Sequence, residues 1–184
     1  MGIIEHMSCK ERRPVIMRLI VLTGASGSGK TAIARAIAAR HADRVDTLHF
    51  DSIGIPSPER MVAEFGSPEE WQRAKTIEWM ANIATMPRLR PNVVFEGQAR
   101  IAFLNEAIAS ADLRDHRIVL LDCDDFTRQR RLTDNRLQPE LAGATMMNWA
   151  AFLRNEARRH HCEIVDTSSA SVDACAERIV RHLA

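Results

Sequence analysis

The stretch Gly24-Ala25-Ser26-Gly27-Ser28-Gly29-Lys30-Thr31 satisfies the spacing G-x-x-x-x-G-K-[ST]. Each residue type in it has a use against a chain of phosphates. Glycines let consecutive backbone N–H groups curl around an anion where side chains would collide. A helix beginning at the end of the stretch adds its positive N-terminal end. Lys30 supplies a mobile point charge for the outer phosphates, and the Thr31 hydroxyl is placed to ligate Mg²⁺. These residues are the candidates for holding a nucleotide and its metal.

Other charged residues fall where ligands meet alternating α/β chains. Asp51 follows the expected strand Val45 to Phe50, and ligands bind outside the carboxyl ends of strands. A carboxylate there can accept a hydroxyl proton or hold Mg²⁺ through water; alternatively it caps the turn Ser52-Ile53-Gly54. Glu96 ends the run Asn92 to Phe95 and is a candidate to orient Mg²⁺-bound water or an acceptor, or else a turn acid. Arg100 has the fork geometry for an anionic group, against the alternative of a solvated helix face. Among Arg128, Arg130, Arg131 and Arg136, one or two suffice to neutralise a transferring phosphoryl group. Arg131 and Arg136 are the choices, and at least two of the set are expected in solvent. Arg154 and Arg158 lie one helical turn apart and can face one site. His49 reads as a satisfied core histidine. Trp71 and Trp79, eight residues apart on one helical face, and Trp149 read as core packing, with a stacking wall for an aromatic ligand as the alternative.

The positioning elements follow from apolar patterning. Val15 to Thr23 is apolar and β-branched, as a strand buried on both faces requires. Helical spacing follows from Thr31 to His41, and a second strand spans Val45 to Phe50. Pro58 to Thr85 is helical, interrupted at Gly66-Ser67-Pro68, where Ser67 can cap, Pro68 suits the first turn, and Glu69 and Glu70 suit its positive end. Further strands are expected at Asn92–Phe95, Arg117–Asp122 and Glu163–Asp166, and helices at Ile101–Ala109, Phe126–Asn135, Asn148–His160 and Ser171–Leu183. Strands alternating with helices imply an α/β chain with a parallel sheet covered on both faces.

Bulk properties exclude other classes. The 184 residues are 46% hydrophobic and 27% charged, with a formal net charge of +1. That balance predicts no nucleic-acid partner and no acidic membrane surface. No apolar run reaches the roughly 20 residues needed to cross a bilayer. Cys9, Cys123, Cys162 and Cys175 show no paired spacing, consistent with reduced thiols in the cytoplasm. Residues 1–14 read as a flexible extension and 15–184 as a single domain, either a monomer or a homodimer.

Taken together, the motifs resemble one superfamily. Ser26 to Thr31 resembles the loop of gluconate, adenylylsulfate and uridine kinases. Phe95-Glu96-Gly97-Gln98-Ala99-Arg100 is similar to a segment of nucleoside monophosphate kinases. Val119 to Asp122, followed by Asp125, Arg128, Arg130, Arg131, Leu132 and Arg136, resembles the strand and arginine-bearing lid of the same superfamily, and Ile164 to Ser168 its last strand and adenine-side loop. The resemblance implies a three-layer P-loop fold, a five-stranded parallel sheet in the order 2-3-1-4-5, and a short lid within about 128–147. It also implies ATP and Mg²⁺ as cofactors. The chain departs from adenylate kinases in lacking Pro-Gly in the loop and their AMP-binding helix. His49-Phe50-Asp51-Ser52 instead resembles shikimate and gluconate kinases, where an aspartate meets the acceptor hydroxyl.

The expected activity is therefore transfer of the ATP γ-phosphoryl group to a small hydroxylated acceptor such as a metabolite, nucleoside or drug. Lys30, Asp51, Arg131 and Arg136 are its expected catalytic residues, and Asp51, Glu96 and Arg100 are expected to bind the acceptor. One alternative is a nucleoside monophosphate kinase. An alternative of another class is a nucleotide-switched regulatory module. Asp51-Ser52-Ile53-Gly54 does spell the D-x-x-G of GTPases, but no Asn-Lys-x-Asp follows it.

Overall fold

The computed structural model describes residues 17–87 and 90–183; the expected extension at 1–14 lies outside them, as do Val15 and Ile16 of the first expected strand. Five strands, β1 (Arg18–Thr23), β2 (Val45–His49), β3 (Asn92–Glu96), β4 (His116–Asp122) and β5 (Glu163–Asp166), form a sheet ordered β2-β3-β1-β4-β5. All its pairings are parallel, as the sequence reading expects. The helices are α1 (Lys30–Arg40), α2 (Pro58–Phe65), α3 (Pro68–Thr85), α4 (Ile101–Ser110), α5 (Asp125–Arg130), α6 (Ala144–Arg159) and α7 (Val172–Val180). Among the described residues no helix is long and apolar enough to cross a membrane.

Alternation along the central strand builds the two cores. Leu19 and Val21 pack with Val93, Phe95 and Leu120 against α3, α4 and α6. Ile20 and Leu22 pack with Val94, Val119 and Leu121 against α1 and α7. Because successive side chains of a strand point to opposite faces, β1 feeds both layers and is buried on both. Side-chain caps fix several helix starts. Ser67 Oγ accepts from Glu70 N at 3.0 Å at the start of α3, and Gly66, at φ 87°, ends α2 in the left-handed region that favours glycine. Asp124 caps α5, accepting from Thr127 N at 2.6 Å, and Ser171 caps α7.

Between α5 and α6 two boundaries differ from the sequence reading. The helix expected from Asn148 begins at Ala144, after an extended Gly143, because Ala144 to Met147 carry no breaker. The helix expected to end at Asn135 is regular only to Arg130; Arg131–Asn135 form one wider π turn. A short 3-10 turn, Pro139–Leu141, completes the connection to α6.

The chain leaves β2 and β3 side by side, and their exits touch. A Cβ on Gly97 would lie 2.5 Å from Phe50 Cβ. Phe50 is buried there, with its ring edge-on to Trp71 at 5.8 Å. Gly97→Ala is therefore expected to displace Phe50, and with it the turn carrying Asp51, destabilising the protein by about 1–3 kcal/mol. Urea denaturation monitored by tryptophan fluorescence measures this, and unchanged stability would show that Phe50 yields at no cost.

Candidate functional site

Between β1 and α1 the glycine-rich loop adopts the conformations its composition permits. Gly24, Gly27 and Gly29 have φ of 153°, 80° and 91°. A Cβ at Gly24 would stand 2.2 Å from the Leu121 carbonyl oxygen, so β4 passes too close for any side chain. Four of the loop's carbonyl groups accept from side chains. Ala25 O accepts from Lys30 Nζ at 3.1 Å, and Ser26 O from Arg128 Nη1 at 2.8 Å. Gly27 O accepts from Arg131 Nη1 at 3.2 Å, and Ser28 O from the Thr167 hydroxyl at 2.9 Å. By contrast, the N–H groups of Ala25, Ser26, Gly27 and Gly29 have no acceptor among the described residues. Unpaired donors grouped at a helix N-terminus form an anion cradle.

Arg128 takes neither of the places considered for it, lid or solvent. It is fully buried beneath the loop, where Nη2 also donates to Asp122 Oδ1 at 2.6 Å and to Cys123 O at 3.1 Å. No pattern in the sequence marks this role, because the loop carbonyl it holds, Ser26 O, lies 102 residues away along the chain. Arg130 and Arg136 are exposed, and Arg131 divides its guanidinium between Gly27 and Thr167. Arg131, Asn135 and Arg136 line a cavity of about 270 Å³ with Gly29, Thr31 and Cys175, on the α1–α7 side of the loop.

On the other side stand the ends of β2 and β3. His49 and Glu96 are register partners. Glu96, only 7% exposed, is no solvated turn acid: its Oε1 accepts from Thr31 Oγ1 at 3.2 Å and faces His49 Nδ1 at 2.8 Å. His49 was expected in the core; it is instead partly exposed at the mouth of the site, because it is the last residue of an edge strand, beyond the cover of the helices. Asp51 lies in a 3-10 turn, Phe50–Ile53, which is closed by its carbonyl accepting from Gly54 N at 3.0 Å. The exposed Asp51 carboxylate makes no hydrogen bond among the described residues, so it does not cap that turn.

Lys30 feels both acids. Burial strips water from its ammonium and pushes its pKa down to about 8; Glu96 and Asp51 oppose that shift, while Arg136 and Arg128 add to it. Thr31 fits a metal ligand in one respect that the geometry fixes. Its hydroxyl hydrogen is directed at Glu96, which leaves the oxygen lone pairs for a cation.

Arg100 is placed apart from this group. Its guanidinium pairs with Glu69 Oε1 at 2.6 Å and lies over the Phe152 ring at 5.0 Å, with Phe103 and Trp149 also in reach. Gln98, missed by the sequence reading, takes the Ser26 hydroxyl at 3.2 Å, and its own carbonyl accepts from Gln72 Nε2 at 3.0 Å. Trp71 and Trp79 pack in the core against Phe50 and Phe95, and Trp149 stacks on Phe152. Arg154 and Arg158 do share one hollow, at the ends of β4 and β5, where Arg154 Nε donates to Asp122 Oδ2 at 2.6 Å.

A family model described as AAA domain matches residues 20–166, four-fifths of the chain. The chain belongs to this family. It is also similar to a nucleotide-binding protein of Citrifermentans bemidjiense, 29% identical over 168 residues. That alignment covers 89% of this chain but 53% of the relative, so the chain spans about half the relative's length. Among solved structures, a gluconokinase from Sinorhizobium meliloti is similar with a TM-score of 0.63 and 19% identity, over 90% of this chain and 91% of that one. A shikimate kinase from Acinetobacter baumannii, in complex with shikimate, is similar with a TM-score of 0.57 and 16% identity, over 91% and 93%. The fold is that of the P-loop kinases.

The depressed pKa of Lys30 has a measurable consequence. With its pKa lowered to about 8, this ammonium loses part of its charge in the free protein near that pH, whereas bound phosphates favour the charged form. Nucleotide binding is therefore expected to take up protons near pH 8, and progressively less towards pH 6.5, where Lys30 is already charged. Titration calorimetry in buffers of different ionisation enthalpy reads this directly. Lys30→Ala should abolish the uptake along with most of the affinity; uptake that persists in that variant would assign the proton elsewhere.

Proposed function

We propose that the protein is an ATP-dependent phosphotransferase that moves the γ-phosphoryl group to a small hydroxylated acceptor. The observation that carries this reading is the Asp51 carboxylate: exposed, free of hydrogen bonds among the described residues, and near enough to Lys30 to act on its charge. The phosphates rest on the N–H groups of residues 24–31, with Lys30 on the outer phosphates. Thr31 would ligate Mg²⁺, with Glu96 oriented towards the metal's water. When bound, that cation supplies charge neutralisation for the phosphate oxygens.

Asp51 then accepts the acceptor's hydroxyl proton as its oxygen bonds to the γ-phosphorus and the bond to ADP breaks. Arg131 and Arg136, lining the cavity beside the loop, flank the nucleotide and offset charge on the moving group. The engagement of Arg100 with Glu69 favours a hydroxyl acceptor over a nucleoside monophosphate, whose phosphate would need that guanidinium. Two structural neighbours, a gluconokinase and a shikimate kinase, support the same class of acceptor. The protein works on small molecules in the cytoplasm, as a monomer or homodimer, without nucleic acid or membrane.

Two substitutions test the assignment once an acceptor is found by screening sugars, nucleosides, hydroxy acids and antibiotics for ADP release. Asp51→Asn keeps the side-chain shape and removes the proton acceptor, so turnover should fall by about 10²-fold or more while ATP affinity stays within a few-fold. An unaltered rate would remove Asp51 from the chemistry. Arg100→Ala should shift KM for a neutral acceptor by only a few-fold. A rise of roughly 10- to 150-fold, the scale of a lost charge-assisted contact, would identify an anionic acceptor held by that side chain. Efficient phosphorylation of AMP, CMP, UMP or GMP, insensitive to Asp51→Asn, would replace this function with the nucleotide kinase reading.

A further inference from the structure

Glu96 receives both of its donors on one oxygen. His49 Nδ1 and Thr31 Oγ1 lie 2.8 and 3.2 Å from Oε1. A carboxylate only accepts, so Nδ1 must carry the imidazole hydrogen, and in the neutral ring Nε2 keeps the lone pair. Oε2 has no hydrogen bond among the described residues, although the residue is 7% exposed. Lys30 is the neighbouring cation, and Glu96 is the acid that acts on it most strongly. Yet the ammonium donates to Ala25 O at 3.1 Å and forms no ion pair with Glu96.

That arrangement calls for a restraint. A buried carboxylate beside a desolvated ammonium gains more by direct contact than an exposed pair would, because little water screens the attraction. Collapse of Glu96 onto Lys30 would neutralise both, and an ammonium so paired is withdrawn from a phosphate. The two hydrogen bonds on Oε1 oppose the collapse, and the shorter comes from His49. His49 can make it because parallel pairing sets the last residues of β2 and β3 in register.

We propose that His49 is a positioning residue for nucleotide binding: its Nδ1–H holds Glu96 off Lys30 and so keeps the ammonium available to the phosphates. This rests on the reading of residues 24–31 as the phosphate site. It does not depend on the identity of the acceptor, nor on Asp51.

The test is the affinity for Mg²⁺ with the non-hydrolysable analogue AMPPNP, by titration calorimetry. His49→Leu removes the donor and should weaken binding roughly tenfold, the scale of one charge-assisted hydrogen bond. His49→Asn is close in size to the leucine variant and places an amide N–H where Nδ1–H stood, so its affinity should stay within about threefold of wild type. In the Glu96→Gln background, where no carboxylate can collapse, His49→Leu should have no further effect. Equal binding by wild type and His49→Leu would overturn the proposal. So would a His49→Asn variant as weak as His49→Leu, or a loss of the same size in both backgrounds. Should His49→Leu fail to fold by circular dichroism, His49→Ala provides the same contrast with asparagine. Wild-type protein that does not bind the analogue overturns the phosphate-site reading and this inference together; normal wild-type binding with an indifferent His49→Leu overturns this inference alone.

Discussion

Four consecutive carbonyl groups, from Ala25 to Ser28, each accept from a side chain, and the site depends on that sorting. A tight loop of small residues carries as many acceptors as donors, and an anion is repelled by the first as much as it is attracted by the second. Tying the carbonyls to Lys30, Arg128, Arg131 and Thr167 turns one set of dipoles away and leaves the N–H groups facing together. The donors come from α1, α5, the π turn after it and the segment following β5. The cradle therefore exists only when those elements are in place, and the loop sequence alone would not organise it.

Arg128 shows what this costs. A fully buried guanidinium is tolerable only with its charge matched, and Asp122 at the end of β4 supplies the match. Asp122 takes Arg154 of α6 on its other oxygen. One carboxylate thus links the floor of the glycine-rich loop to α6.

The sheet order assigns different work to the acids on either side of the central strand. β1 lies between β3 and β4, which end in Glu96 and Asp122. Asp122 is committed to two arginines and serves the scaffold. Among the described residues, Glu96 meets a hydroxyl and an imidazole nitrogen and no guanidinium, and it faces the mouth of the site. The two positions are alike in sequence terms, an acid after an apolar run, and only their neighbours tell them apart.

Much of the molecule was legible in the chain itself. Apolar runs of the right length located the strands, and Gly66-Ser67-Pro68 marked the break between α2 and α3, because capping and proline chemistry act over a few residues. The spacing from Gly24 to Thr31 identified the phosphate loop for the same reason: its geometry is local. The sheet order came from resemblance, and the structure bears it out. What sequence could not decide were contacts between residues far apart along the chain. Burial of Arg128, pairing of Arg100 with Glu69, and the place of Gln98 on Ser26 all span long separations and leave no periodicity to read. His49 was misplaced for a related reason. The alternation of a strand tells which face a side chain takes, but not whether a helix covers it there, and that was settled only when β2 became the edge and β3 brought Glu96 alongside.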